Sequence, residues 1–286
     1  MKIVVLTNND LTGNLIFSEL FNALGINIEA VFFSKSPVKK KDNVVAAALS
    51  LLKRMDVRYW LFLVVTNGFF SIYSNLTSFF RLTPAFGPLR DLKALSLVRN
   101  VKLFSSINFN DKETKEILRA LEPDLLLIRV STILDAEILS IPKLGTWCVH
   151  SSLLPAYGGI AGEFQALREG RLSLGSTVFK VTVKLDEGPP LAQVAFESDP
   201  KASLFWHIVE NNRRAGQLLS EMVSNLALGN PPDKPLLNQG LEPSYYSWPD
   251  ASQVDEFLAT RRPLLGFFNF LLLLAASMRI VRPKFR

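Results

Sequence analysis

Two short stretches of the 286-residue chain hold side chains that could act together as acid and base. The first is Cys148-Val149-His150-Ser151-Ser152-Leu153-Leu154-Pro155, and the second is Leu185-Asp186-Glu187-Gly188-Pro189. Each follows a run that reads as a strand, Gly145 to His150 and Ser176 to Lys184. In open α/β sheets the ligand crevice lies beyond the carboxyl ends of the strands, so His150 and Asp186 can converge there. A carboxylate beside an imidazole fixes its orientation and raises its basicity, which suits proton transfer. Taken singly, such a histidine is most often a hydrogen-bonded core residue, and DEGPP is most often a tight turn.

The elements that must position these residues read as an α/β alternation. KIVVLT (2–7) is a short buried strand, followed by polar turn residues with Gly13, a helix from about Leu15 to Leu24 and a strand over Asn27 to Phe33. Asn43 to Leu52 has helical character. The rhythm resumes with strand 101–106, a helix capped by Asp111 that reaches about Leu121, and the fully buried strand type DLLLIRV at 124–130. A short helix at 135–140, the strand ending at His150, a loop over 151–159 and a helix from Ala161 to Arg168 follow. STVFKVTVK (176–184) alternates as a half-buried strand does, with Leu191 to Phe196 as its partner across the turn. A long helix covers about 202–227, a proline-rich linker 229–243, and helical stretches 254–260 and 264–278. The expectation is a Rossmann-like open, mostly parallel sheet over 1–200, with an apolar insertion at 43–100. A helical C-terminal extension with a basic apolar tail spans 201–286.

The segment GTWCVHSSLLPAYGGIAGEFQALREGRLSLGSTVFKVTVKLDEGPPLAQ resembles the core of the formyltransferase family, which includes the glycinamide ribonucleotide, methionyl-tRNA and amino-sugar enzymes and the formyltetrahydrofolate deformylases. Five elements match in order: His150, the Ser152-Leu153-Leu154-Pro155 loop, Tyr157 with Gly159, Gly175 with Thr177, and Asp186 with Gly188-Pro189. The likeness covers about residues 101–197 well and 1–33 loosely. It implies the formyltransferase fold and formyl transfer from 10-formyltetrahydrofolate to a primary amine. A protonated His150 would stabilise the developing oxyanion, and Asp186 would orient His150 and assist proton removal from the amine. Leu153, Leu154, Pro155, Leu185, Glu187 and Gly188 would line the folate pocket, with Ser152 and Tyr157 on the acceptor side.

Cys148 stands where the family carries an Asn that donates to the formyl oxygen, and a thiol is a weak donor. Losing one good oxyanion donor costs on the order of 10²–10³ in rate. Three readings stay open: a slow enzyme or one with a substitute donor, a formyltransferase-like binder without catalysis, and a Cys148 nucleophile that takes the formyl group as a thioester. Ser151 replaces the usual Pro, and Gly158 stands where Arg is frequent. Water in place of the amine would give the formyltetrahydrofolate hydrolase reading.

Thr12-Gly13-Asn14, just before the first helix, resembles the phosphate loop of the glycinamide ribonucleotide enzyme, where helix N–H groups hold the acceptor phosphate. A plain turn and cap is the competing reading. His207, inside SLFWHIVE, reads as a helix residue and not a second catalyst. Tyr245-Tyr246 reads as an aromatic strap or as a tyrosine-rich segment of some family members.

The acceptor class follows from what surrounds the core. The chain carries +6, but Arg261 to Arg286 holds six basic residues and no acid, which leaves residues 1–260 with 26 of each sign. A neutral body argues against nucleic acid as a partner. One cysteine fits a reducing, cytoplasmic setting, the start MKIVVLTNND lacks a cleavable signal, and two histidines leave little for a metal site. Tyr59–Phe80 runs 22 residues without charge between Arg58 and Arg81, and Leu264–Met278 is apolar with basic flanks. The two read either as helices lying on an anionic membrane surface or as buried helices or a homodimer interface. The expected acceptor is an amino sugar, nucleotide-linked or lipid-linked. Residues after 200 do not read as the β-rich second domain of the methionyl-tRNA enzyme.

Overall fold

Among the described residues, alternating apolar strands and amphipathic helices build an open α/β sheet of seven strands in the order β3-β2-β1-β4-β5-β7-β8. The computed structural model describes residues 1–8, 10–34, 49–79, 91–182, 188–230, 236–237 and 240–266. The strands are β1 (Lys2–Asn8), β2 (Asn27–Ser34), β3 (Lys102–Ser106), β4 (Leu125–Arg129), β5 (Thr146–His150), β7 (Ser173–Lys180) and β8 (Pro190–Glu197). The first five pair in parallel, and β7 and β8 join antiparallel. Two-residue strands β6 (Gly158–Gly159) and β9 (Tyr245–Tyr246) pair separately.

The helices are α1 (Leu11–Phe17), α2 (Val57–Phe79), α3 (Leu92–Val98), α4 (Lys112–Leu121), α5 (Ala136–Leu139), α6 (Gly162–Arg168), α7 (Leu204–Ala227) and α8 (Ala251–Ala259). Alternation along β1 and β4 sends Val4, Leu6, Leu126 and Ile128 to one face with Leu118 of α4 and Ile138 of α5. Ile3, Val5, Leu125 and Leu127 go to the other face, against Ile16 and Phe17 of α1 and Leu219 and Val223 of α7. Helices on both faces explain why Leu125 to Ile128 of β4 are all apolar. Asp111 caps α4 by accepting from Thr114 N at 2.7 Å, and Glu122 ends it in the left-handed region.

Two expectations shift. The first helix starts at Leu11, not near Leu15, because Asp10 accepts from Gly13 N at 2.8 Å and caps it early; a short 3-10 helix (Ser18–Asn22) completes it. Thr12, Gly13 and Asn14 therefore lie within the first helix. β7 begins at Ser173, three residues earlier than expected. α7 packs on the sheet as one of its covering helices. Most of the apolar stretch at 264–278 lies outside the described residues, as does most of the helical stretch at 43–52, of which 49–52 is helical.

α2 takes up the uncharged run. Tyr59, Phe62, Thr66, Phe70, Ser74, Thr77 and Ser78 form its buried face. Buried Asp91 ties that face down by accepting from Ser74 Oγ (3.1 Å), Thr77 Oγ1 (2.7 Å) and Ser78 Oγ (2.9 Å) while capping α3. The opposite face leaves Val57, Leu61, Ile72, Leu76 and Phe79 more than half exposed. Among the described residues, no helix is long and apolar enough to cross a membrane.

Candidate active site

The loop after β5 is built from the strand beside it. Thr177, fully buried on β7 opposite His150, donates to Ser152 O (2.7 Å) and accepts from Leu154 N (2.9 Å). Gln193 on β8 donates to Thr177 Oγ1 (3.1 Å) and Leu154 O (2.9 Å). Gly175 leaves room for this loop, since a Cβ there would lie 2.7 Å from Leu153 Cδ2 and 2.2 Å from Val194 O. The Gly-x-Thr spacing is thus the mould for Ser152–Pro155, and the Leu154–Pro155 peptide is cis.

His150 ends β5 with its Nε2 3.3 Å from Tyr157 O. A carbonyl only accepts, so this contact calls for a proton on Nε2. Cys148 lies two residues earlier on the same face of the strand, half-buried beside the cluster of Ile128 and Leu126, with Sγ 3.8 Å from Val149 O. Tyr157 adopts φ 57° and Ala161 φ 59°, the left-handed region that non-glycine residues enter at a cost of about 1 kcal/mol or more. The loop over-determines Tyr157. Its N donates to Ser244 Oγ (2.8 Å), its hydroxyl donates to Glu169 (2.6 Å) and accepts from Arg171 Nε (2.7 Å), and its ring stacks on Tyr246 at 5.9 Å. Burial, then Glu169, pushes the Tyr157 phenol up to about 12. Tyr245 and Tyr246 strap this loop through β9.

Asp186, Leu185 and Glu187 lie outside the described residues. Gly188 is buried where a Cβ would sit 1.7 Å from Lys180 O, so the turn after β7 closes too tightly for any other residue. Leu153 and Leu154 are buried and Pro155 is exposed.

The Thr12-Gly13-Asn14 corner is already engaged. Gly13 N donates to Asp10, Thr12 Oγ1 donates to Asp10 Oδ1 (3.0 Å), and Asn14 Oδ1 accepts from Leu92 N (2.6 Å). The amide a phosphate would use holds a carboxylate. His207 is fully buried in α7, where its Nε2 accepts from Asp199 N (3.1 Å) and its Nδ1 donates to Ser203 O (2.8 Å); burial lowers its pKa.

Sequence reading missed a polar network beneath the loop. Buried Glu163 of α6 accepts at Oε1 from Asn211 (3.0 Å) and Asn212 (3.2 Å) of α7. Ser151 donates to Asn212 (3.0 Å), and Ser176 donates to Asn211 (2.9 Å). Burial raises the Glu163 carboxyl, against the lowering pull of Asn211, its own backbone amide, Arg129 and Asn212. Glu163 also lines a cavity of about 320 Å³ with Ser151, Ser152, Tyr157, Arg171 and Leu174, which does not include His150. The available signal was adjacent polar residues on the core-facing side of an amphipathic helix. Arg129 was missed too: it is the one charge in the run 125–130. Among the described residues no cluster could hold a metal ion.

Residues 89–205 match the family model described as formyl transferase. Methionyl-tRNA formyltransferase of Thermotoga maritima is 31% identical over 143 residues, covering 49% of this chain and 45% of that protein. That of Chloroflexus aggregans is 32% identical over 150 residues, covering 52% and 47%. The chain thus spans about half the length of the curated relatives it matches. The crystal structure of phosphoribosylglycinamide formyltransferase from Anaplasma phagocytophilum superposes over 80% of this chain and 88% of its own with a TM-score of 0.53 and 14% identity, a likeness of fold. The matched segment carries His150, its loop and the Gly-x-Thr strand in one folded unit, and over that segment the chain resembles the formyltransferase family.

Proposed function

We propose that the chain transfers a formyl group from 10-formyltetrahydrofolate to a primary amine. The observation that carries this is the loop Ser152–Pro155, held by Thr177 and Gln193 beside His150 at the strand ends. The amine nitrogen attacks the formyl carbon, and negative charge grows on the formyl oxygen. His150 donates to that oxygen, while Asp186 takes the amine proton, directly or through water. The bond to folate N10 then breaks, N10 takes up a proton, and the products are a formamide and tetrahydrofolate. Leu153, Leu154, Pro155 and the turn 185–188 serve as the folate wall. Ser152 and Tyr157 face the acceptor side, and the acceptor is an amino sugar.

The described residues after 200 support a small acceptor: they form α7, α8 and the short β9. The names of the curated relatives favour a second acceptor, methionyl-tRNA. The test offers 10-formyltetrahydrofolate with nucleotide-linked amino sugars, lipid-linked amino sugars, methionyl-tRNA or buffer alone, and follows donor loss. Loss with an amino sugar bears the reading out. Loss only with the tRNA replaces the acceptor, and loss in buffer alone identifies a hydrolase.

The uncharged exposed face of α2, with exposed Lys53 and Arg54 before it, supports a cytoplasmic enzyme that rests on an anionic membrane surface. Flotation with anionic vesicles, abolished in Ile72→Glu, is expected. A protein that stays at the bottom of the gradient would refute this placement, and a concentration-dependent dimer lost in Ile72→Glu would assign the face to a second copy.

A further inference from the structure

We propose that Arg129 recognises a phosphate group on the acceptor, at the point where the strand order of the sheet reverses. This rests on reading the crevice as the formyl-transfer site and adds the acceptor's chemistry to it. β2 and β3 lie to one side of β1, and β4 and β5 lie to the other, so β1 and β4 flank the switch point. Ligands of open α/β sheets bind in that crevice, outside the carboxyl ends of the strands. Arg129 is the last residue of β4 and pairs in register with Thr7 near the end of β1.

The guanidinium is fixed across the crevice. Its Nε donates to Thr12 Oγ1 (3.1 Å) after β1, and one terminal nitrogen donates to Val149 O (3.2 Å), one residue before His150. A charge held one residue from the proposed acid lies within reach of an acceptor whose amine meets the formyl carbon.

A half-buried guanidinium is ordinarily matched by an acid, because desolvating an unpaired charge is costly. Arg129 forms no ion pair among the described residues. Among the described residues, Asp10 and Glu163 lie near it, and both hold other hydrogen-bond partners. Asp10 accepts from Gly13 N and Thr12 Oγ1, and Glu163 accepts from Asn211 and Asn212. The remaining N–H groups form a planar fork that matches a phosphate bidentately. This places phosphate recognition on a side chain at the end of β4, not on the N-terminus of α1, where Asp10 already occupies the Gly13 amide.

The experiment titrates inorganic phosphate into the full chain at constant ionic strength and reads affinity by calorimetry. Wild type is expected to bind. Arg129→Gln is expected to lose at least about tenfold in affinity, Arg129→Lys to lose less, and the exposed control Arg99→Gln to match wild type. Binding of 5-formyltetrahydrofolate is measured in parallel as a check on folding and on the formyl-transfer reading. Phosphate affinity equal in wild type and Arg129→Gln, with folate binding intact in both, overturns the proposal. Phosphate binding through Arg129 without folate binding keeps the anion site and removes the formyl-transfer reading. If Arg129→Gln does not fold, a phosphate affinity unchanged in Arg129→Lys and Arg129→Met overturns it equally.

Discussion

Replacing Glu163 by Gln probes a buried acid beneath the active-site loop. The substitution conserves volume, and an amide oxygen can still accept from Asn211 and Asn212 at the 3.0 and 3.2 Å positions. Any hydrogen bond lost at the second carboxylate oxygen costs about 1 kcal/mol at every pH. The ionisation behaves differently. Burial raises the carboxyl in the fold, so the folded state holds its proton where the unfolded chain has released it. Its contribution to stability is complete below the unfolded value and is lost as pH rises through the folded one. In that window wild type should lose about 1.4 kcal/mol per pH unit relative to Glu163→Gln. Urea unfolding of both proteins between pH 4 and 8 reads this as a difference. Acids whose pKa the fold lowers, such as Asp56, Asp124 and Asp135, slope the other way in both proteins and cancel. Parallel curves, or a wild type that gains on the variant as pH rises, would refute a neutral Glu163 and make the cavity carboxylate an anion.

Cys148→Asn should raise the formyl-transfer rate by about 10²-fold if the weak thiol donor limits the reaction; abolished transfer would instead mark Cys148 as a nucleophile, checked by intact mass after incubation with the donor. Asp91→Ala removes the acceptor of three hydroxyls and the cap of α3, and should cost about 3 kcal/mol in urea unfolding while exposing α2 to proteolysis. Gln165→Met should stabilise by about 1–2 kcal/mol, read as a higher Tm, because both side-chain polar atoms of Gln165 are buried without a hydrogen-bond partner among the described residues.

The parallel sheet was legible because its strands are apolar runs separated by capped helices, and Asp111 and Asp135 mark two of those starts directly. The loop at 152–155 was legible as a motif, but its mould was not. Thr177 and Gln193 reach it from strands 20 to 40 positions away, and only the antiparallel register of β5, β7 and β8 brings them together. At Thr12-Gly13-Asn14 the sequence allowed a phosphate loop or a plain turn and cap, and the structure shows the cap, with Asp10 taking the Gly13 amide. Glu163, Asn211 and Asn212 carry no local signal of their association, since the network exists only where α6 crosses α7. Arg129 could have been singled out: a charge ending an otherwise apolar buried strand has to meet something at the strand end.

The most direct test of the account follows 10-formyltetrahydrofolate in a single turnover with wild type and with His150→Ala, in the presence of an amine acceptor that wild type uses. Both proteins should bind the folate, and only wild type should yield tetrahydrofolate and the formamide at an appreciable rate, with the variant slower by about 10²-fold or more. Equal rates in the two proteins would contradict it, because the chemistry would then lie elsewhere than at the end of β5.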